Sequence, residues 1–362
     1  MMQVGDVITI EAGDLVAGGA ALARVEGMPV FASNVYPGDV AKVRLYEVKK
    51  GYAKADLVEL IAPSRWRRAM PCPVANECGG CDWTALRLDK QLEAKQRILI
   101  ESLRRIGKFD VASLPPIAIH PSPLNYRLRS RLHREGDAVG FFAMRSNRVV
   151  PLARECEVVG EETAKHPVEG ETWEVDHRRL DGEFTITVAP FTWRLSTTAF
   201  FQVNRHLLGT MIRLVTEHAS RVTQRRTAVD LYAGVGFFTL PIASLFEHVV
   251  AIEGSRVSAR YARMNVPRHV KVVESAVEHA RIPEADFTFL DPPRAGTRND
   301  VIDVVARRTR EKIAWLSCDP VTFARDASRL IASGWRLSTL DLLDLFPNTH
   351  HIETLSTFER VP

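Results

Sequence analysis

From about residue 191 onward the chain alternates strand-length apolar runs with helical stretches, and acidic or reactive residues stand at the ends of those runs. The strand candidates are 227–231, 248–253, 270–274, 285–290, 312–317, 336–344 and 354–359. Such alternation predicts a doubly wound α/β domain around a mostly parallel sheet. No helix separates the last two candidates, so an antiparallel pair is expected at that end. Open sheets of this kind bind ligands beyond the carboxyl ends of their strands. Asp230, Glu253, Asp291 and Cys318 all fall at such ends, a coincidence that is hard to obtain by chance.

Residues 230–240 read as the end of a strand, a turn carrying Gly234 and Gly236, and the start of a helix. Glu253 closes the next strand, where an acidic side chain can accept from ribose hydroxyls. A dinucleotide fingerprint would place a third glycine where Thr239 stands. That glycine lets helix and strand close beside a pyrophosphate, so its absence favours a ligand with adenosine but no phosphates, such as S-adenosylmethionine. It argues against a nicotinamide dehydrogenase on the same fold. Asp291-Pro292-Pro293-Arg294 follows a fourth apolar run; two prolines stop the strand and stiffen the loop. Alone, this would be a capped turn.

Cys318 ends one strand and Glu353 precedes another. A thiol and a carboxylate meeting over one substrate supply the nucleophile and the base needed to activate an unreactive ring carbon. A thiol at that place also argues against a purely non-catalytic binding protein. His350 and His351 are reserve bases, but they are expected to order the loop instead.

At 362 residues the chain calls for two or three domains. Residues 1–62 carry five strand candidates (6–11, 20–26, 29–32, 39–47 and 52–61) separated by Gly and Asn, which fits an oligonucleotide-binding type of barrel. Lys42, Arg44, Lys49, Lys50 and Lys54 cluster on its later strands, although any small barrel with a basic edge has that composition. A helix is expected over 86–106, its apolar face interrupted by Lys95 and Gln96, and then strands at 127–135, 138–145, 148–151 and 183–188. Between Pro63 and Gly160, Lys and Arg number 17 against 10 Asp and Glu, which reads as a polyanion-contact surface. Arg127, Arg129 and Arg131 alternate and would share one strand face. The start of the chain has no basic, apolar leader pattern, and no apolar stretch approaches the ~20 residues of a membrane span. A cytoplasmic protein is expected.

Three of the five cysteines, Cys72, Cys78 and Cys81, fall within ten residues, with Cys156 distant in sequence. In a cytoplasmic chain this cluster suggests metal rather than disulfides. Zinc and a four-iron cluster both accept four thiolates; the three-plus-one arrangement favours iron and sulfur, in a structural role.

These pieces, with Gln91-Leu-Glu-Ala-Lys95, Phe201-Gln202-Val-Asn204 and 346–353 (Phe-Pro-Asn-Thr-His-His-Ile-Glu), run in family order across nearly the whole chain. The chain resembles the uracil-C5 RNA methyltransferases, most of all the iron–sulfur branch with a leading TRAM barrel that modifies 23S ribosomal RNA. The resemblance implies a TRAM barrel at 1–62, a central α+β iron–sulfur and RNA-binding domain at 63–190, and a Rossmann-like methyltransferase domain at 191–362. It implies that Gln202, Tyr232, Glu253 and Asp291 hold S-adenosylmethionine, that Cys318 is the nucleophile and Glu353 the base, and that Cys72, Cys78, Cys81 and Cys156 hold a [4Fe-4S] cluster. The expected partner is RNA, ribosomal rather than transfer, and the expected state is a monomer. Two positions depart from the family pattern. Phe237 stands where an Asn often touches the cofactor. Asp319 replaces an Asn after the nucleophile, where a second carboxylate could oppose thiolate formation.

Overall fold

The computed structural model describes residues 2–175 and 178–361. The front of the chain is a five-stranded barrel-like sheet of Val7–Glu11, Ala21–Val25, Met28–Ser33, Val40–Lys49 and Tyr52–Ala62. Its first, fourth and fifth strands lie side by side, followed by the third and second. Strand alternation sorts the side chains: Ala41, Val43 and Leu45 face the core, while Lys42 and Arg44 face out. Part of this basic edge is answered across the sheet, Lys42 by Glu59 at 2.8 Å and Lys54 by Glu47 at 3.3 Å.

The expected helix runs from Leu88 to Arg105. The charge interrupting its apolar face is buried: Lys95 Nζ donates to Asp344 Oδ1 at 2.6 Å and to the Phe346 carbonyl at 3.0 Å. The central region then folds into a second antiparallel sheet that includes Arg129–Glu135, Ala138–Phe142 and Val149–Pro151. Here the arginine expectation is corrected. Arg127 lies with its guanidinium over the Phe141 ring at 5.2 Å, and Arg129 lies over Trp173 at 5.3 Å with Nε donating to Glu171 at 2.8 Å. Only Arg131 has an exposed side chain, 72% accessible, so the three do not form one surface stripe. Alternation alone would put them on one face, but Phe141 and Trp173 of the neighbouring strands cover the first two and leave Arg131 open.

The last part of the chain builds an eight-stranded sheet in the order Val270–Glu274, His248–Glu253, Thr227–Leu231, Ala285–Leu290, Thr309–Ser317, Glu353–Arg360, Trp335–Leu343, Ile117–His120. Every residue of Ala285–Leu290 is buried, as suits a central strand covered on both faces. Glu353–Arg360 pairs antiparallel with both neighbours, giving the antiparallel end that the missing helix required. The edge strand Ile117–His120 was not foreseen; four residues carry too short a pattern to announce a strand. Leu99 and Leu103 of the Leu88–Arg105 helix pack with Phe323, Ala324 and Ala327 of the helix Pro320–Ala332 on one sheet face. Among the described residues no helix is long and apolar enough to cross a membrane.

Candidate active site

The carboxyl ends of the sheet strands open into a pocket of about 590 Å³. Gln202, Asp230, Tyr232, Glu253, Asp291, Cys318 and Glu353 all line it. The glycine turn shapes one wall. Tyr232, Gly234 and Gly236 have φ of 62°, 57° and 84°, left-handed values that glycine takes without penalty and Tyr232 takes at a cost. The turn brings the Gly234 N–H to Glu253 Oε2 at 2.9 Å, and the Ser255 N–H donates to the other oxygen at 2.6 Å. Gln202 Nε2 donates to Asp291 Oδ2 at 3.0 Å. The Tyr232 hydroxyl donates to Glu278 at 3.3 Å.

Sheet register brings the thiol and the carboxylate together. Ser317 pairs with Thr354, so Cys318, one step beyond Ser317, and Glu353, one step before Thr354, share the next rung at the mouth of the sheet. Burial pushes the Cys318 thiol up to about 12, and the Glu353 and Asp291 charges add to it while Arg294 opposes. Glu353 is 5% exposed; burial, then the Asp291 charge, holds its carboxyl well above the usual range, again against Arg294. Burial likewise raises Asp291 to about 7, against the Gln202 hydrogen bond. It raises Asp230 to about 8, against the Thr239 hydroxyl and helped by the Asp291 and Glu253 charges. Perturbed carboxyls and a perturbed thiol converging in one cleft are what a chemical site shows.

Both departures from the family pattern have a structural account. The Asp319 side chain caps the helix Pro320–Ala332, accepting from the Val321 and Thr322 N–H groups at 3.0 and 2.8 Å. Its carboxylate is thus engaged in a capping role that Asp and Asn fill equally well. The Phe237 ring is packed against Trp193, Phe201 and Phe238 at 5.1, 5.0 and 4.7 Å. It is a core residue at the pocket wall.

The loop 346–353 is tied down partly by Arg68, Asp82 and Glu157, which sequence reading did not single out. Asn348 is buried with φ of 66°. Its Oδ1 accepts from Arg68 and Gln91 at 2.9 and 3.0 Å, and its Nδ2 donates to Glu157 at 2.9 Å. The only local signal is Asn itself, which tolerates the left-handed region. His350 Nδ1 meets Asp82 Oδ2 at 2.6 Å. His351 lies 3.3 Å from Arg294 Nη2, and burial, with the His350 and Arg294 charges, pushes its imidazole down to about 3. It is therefore a weak base, and both histidines order the loop as expected.

Cys72, Cys78, Cys81 and Cys156 line one small pocket together with Asn348 and Glu157. All four thiols are unpaired. Burial raises Cys72, Cys78 and Cys81, and the other thiols add to it. Among the described residues no group of three or more His, Cys, Asp or Glu is set closely enough to hold a metal ion.

The sequence profile of the family described as tRNA (Uracil-5-)-methyltransferase matches residues 168–288 and 283–361, and that of the TRAM domain matches residues 2–58. An uncharacterized RNA methyltransferase of Corynebacterium efficiens is 31% identical over 98% of this chain and 95% of its own length. One from Gloeobacter violaceus is 28% identical over 98% and 97%. Among solved structures, the Pyrococcus abyssi tRNA (uracil-54, C5)-methyltransferase in complex with S-adenosyl-L-homocysteine superposes with a TM-score of 0.74 at 20% identity, covering 97% of this chain and 100% of that one. With the doubly wound sheet, the leading barrel and the profile matches together, this chain belongs to the tRNA (uracil-5-)-methyltransferase family and is an S-adenosylmethionine-dependent RNA uracil-C5 methyltransferase with a TRAM domain.

Proposed function

We propose that the 590 Å³ pocket takes S-adenosylmethionine on the Gln202, Tyr232, Glu253 and Asp291 side and a flipped-out uridine on the Cys318 and Glu353 side. The observation that carries this is the strand register that sets Cys318 beside Glu353 at the end of the sheet. When bound, S-adenosylmethionine supplies the methyl group as an electrophile and departs as S-adenosylhomocysteine. Cys318 gives up its proton to solvent in the open pocket and adds through sulfur to C6 of the uracil. The C5–C6 π pair then becomes an enolate whose C5 takes the methyl group. Glu353 accepts the C5 proton, and the released pair reforms C5=C6 and expels the Cys318 thiolate. The environment that raises the Glu353 carboxyl strengthens it as a base for that proton. Arg294, which lowers both groups, favours their charged forms. The uridine must leave its stack to reach both residues.

The proposed substrate is a uridine of 23S ribosomal RNA, on the resemblance of the barrel and the four cysteines to that branch. Transfer RNA is the second reading, favoured by the Pyrococcus abyssi relative. The four cysteines line one pocket, and the resemblance makes them the ligands of a multi-iron core. Cys72, Cys78, Cys81 and Cys156 would hold it, next to the Asn348 network. About four irons per chain after anaerobic preparation is the expected result; stoichiometric zinc would overturn it.

The function is tested by methylating ribosomal and transfer RNA from cells lacking the protein, then mapping 5-methyluridine. Cys318→Ala should abolish transfer while S-adenosylmethionine affinity stays within about twofold. Glu353→Gln should accumulate a covalent protein–RNA species on a denaturing gel. Full activity in Cys318→Ala would sink the mechanism.

A further inference from the structure

A second pocket of about 590 Å³ adjoins the first, and the His351 side chain lines both. Its walls come from the barrel, the cysteine segment, the central sheet and the 349–351 stretch of the loop. The approach is close: a Cβ on Gly19 would stand 2.4 Å from Asp82 Oδ2 and 2.8 Å from the His350 Cβ. Only glycine fits there, and its φ of 87° demands glycine as well. On the central sheet the rings of His133 and Phe142 are stacked with centroids 3.8 Å apart and planes 16° apart. Both are half-buried and both face this pocket. Ser33 and Asn34 line it from the barrel.

We propose that this pocket is a subsite for an unpaired base flanking the target uridine, stacked on the His133–Phe142 pair and met at its edge by Ser33 and Asn34. The proposal rests on the methyl-transfer reading of the first pocket. A uridine flipped into that pocket belongs to a polymer, so its neighbours must lie just outside. The concavity one side chain away is the nearest place that can receive one. Aromatic faces inside a roomy, polar-edged pocket suit a nucleobase, and every base has a face to stack. A pre-stacked pair on adjacent strands offers that platform without ordering a flexible side chain.

The test uses two fluorescein-labelled RNA octamers: oligouridylate, and the same chain with abasic ribose everywhere except at one central uracil. Wild-type protein is expected to bind the first more tightly by about 5- to 150-fold, the range for stacking one base on an aromatic side chain. His133→Leu, which keeps bulk and removes the ring, should cost about 5-fold or more on oligouridylate and nothing on the abasic chain. Phe142→Leu should repeat this, with S-adenosylmethionine affinity and thermal stability reporting that each variant is folded. Equal losses on both octamers, or no loss on either, would overturn the subsite while leaving the methyltransferase reading intact. Failure of the wild type to bind either octamer or to methylate any RNA would instead remove that reading.

Discussion

Asp230 shows how one buried carboxyl couples the site to stability. It ends its strand 1% exposed, accepts from the Thr239 hydroxyl, and is held up at about 8 by burial. An unfolded chain ionises the same group near 3.8. Between these values the unfolded state has lost a proton that the folded state keeps, so the stabilising preference for the protonated group is complete below about pH 4 and disappears as pH rises toward 8. The slope is at most about 1.4 kcal/mol per pH unit for one group. Asp230→Asn keeps the shape and an acceptor for Thr239. Thermal unfolding between pH 5 and 8 should therefore show a flatter pH dependence in the variant. An unchanged slope would mean that Asp230 is ionised in the folded protein. Asp291, raised to about 7 by burial, adds a second contribution of the same sign over a narrower window.

Among the elements, the helix Leu88–Arg105 does most to place the loop that carries Glu353. It supplies Gln91, whose Nε2 donates to Asn348 and whose Oε1 accepts the Asn348 N–H at 2.7 Å, and Lys95, fully buried against Asp344. A buried ion pair adds little net stability, but removing one partner strands the other. Lys95→Met should therefore cost about 3–5 kcal/mol in denaturant unfolding, by leaving Asp344 and the Phe346 carbonyl unanswered. The double variant with Asp344→Leu should recover much of that loss. If the single variant proves as stable as the wild type, the pair does not hold the loop. The helix Pro320–Ala332 plays the matching part on the other side of the site, since its Asp319 cap anchors the backbone directly after Cys318.

At the scale of the whole molecule, the barrel is not a detachable appendage. Trp66, Trp83, Ile98 and Ile352 belong to the same buried cluster as the barrel core. Trp83 Nε1 donates to the Gly19 carbonyl at 2.9 Å, and Arg67 grips Asp39 through Nε and Nη2 at 2.8–3.0 Å. Deleting residues 1–62 would uncover this cluster and lower stability, so truncation confounds RNA binding with folding. Point substitutions separate them. Arg44, Lys49 and Lys50 are exposed on the barrel, and replacing all three with Ala should leave the melting temperature unchanged while weakening RNA binding. On single-stranded RNA the salt slope should fall by about 0.7 for each phosphate that the variant no longer neutralises. Unaltered affinity and slope would remove this edge from the RNA surface.

The features legible in the chain alone are local or order-based: the alternation that yields the parallel sheet, the glycine turn after Asp230, the strand ends that carry Glu253, Asp291 and Cys318, and the helix around Gln91. Each depends on neighbours two to four positions apart, or on the rule that strand ends face the ligand crevice. Which charges are surface and which are core was settled only in three dimensions. Arg127 and Arg129 look like Arg131 in sequence, yet they stack on Phe141 and Trp173. Lys95 interrupts an apolar stripe and is buried because Asp344, far along the chain, meets it. Asp319 resembles an intruding carboxylate until the following helix points its N–H groups at it. The partner is near for Asp319 and more than two hundred residues away for Lys95, but in each case packing and register, which no single window of sequence contains, decide whether the two meet.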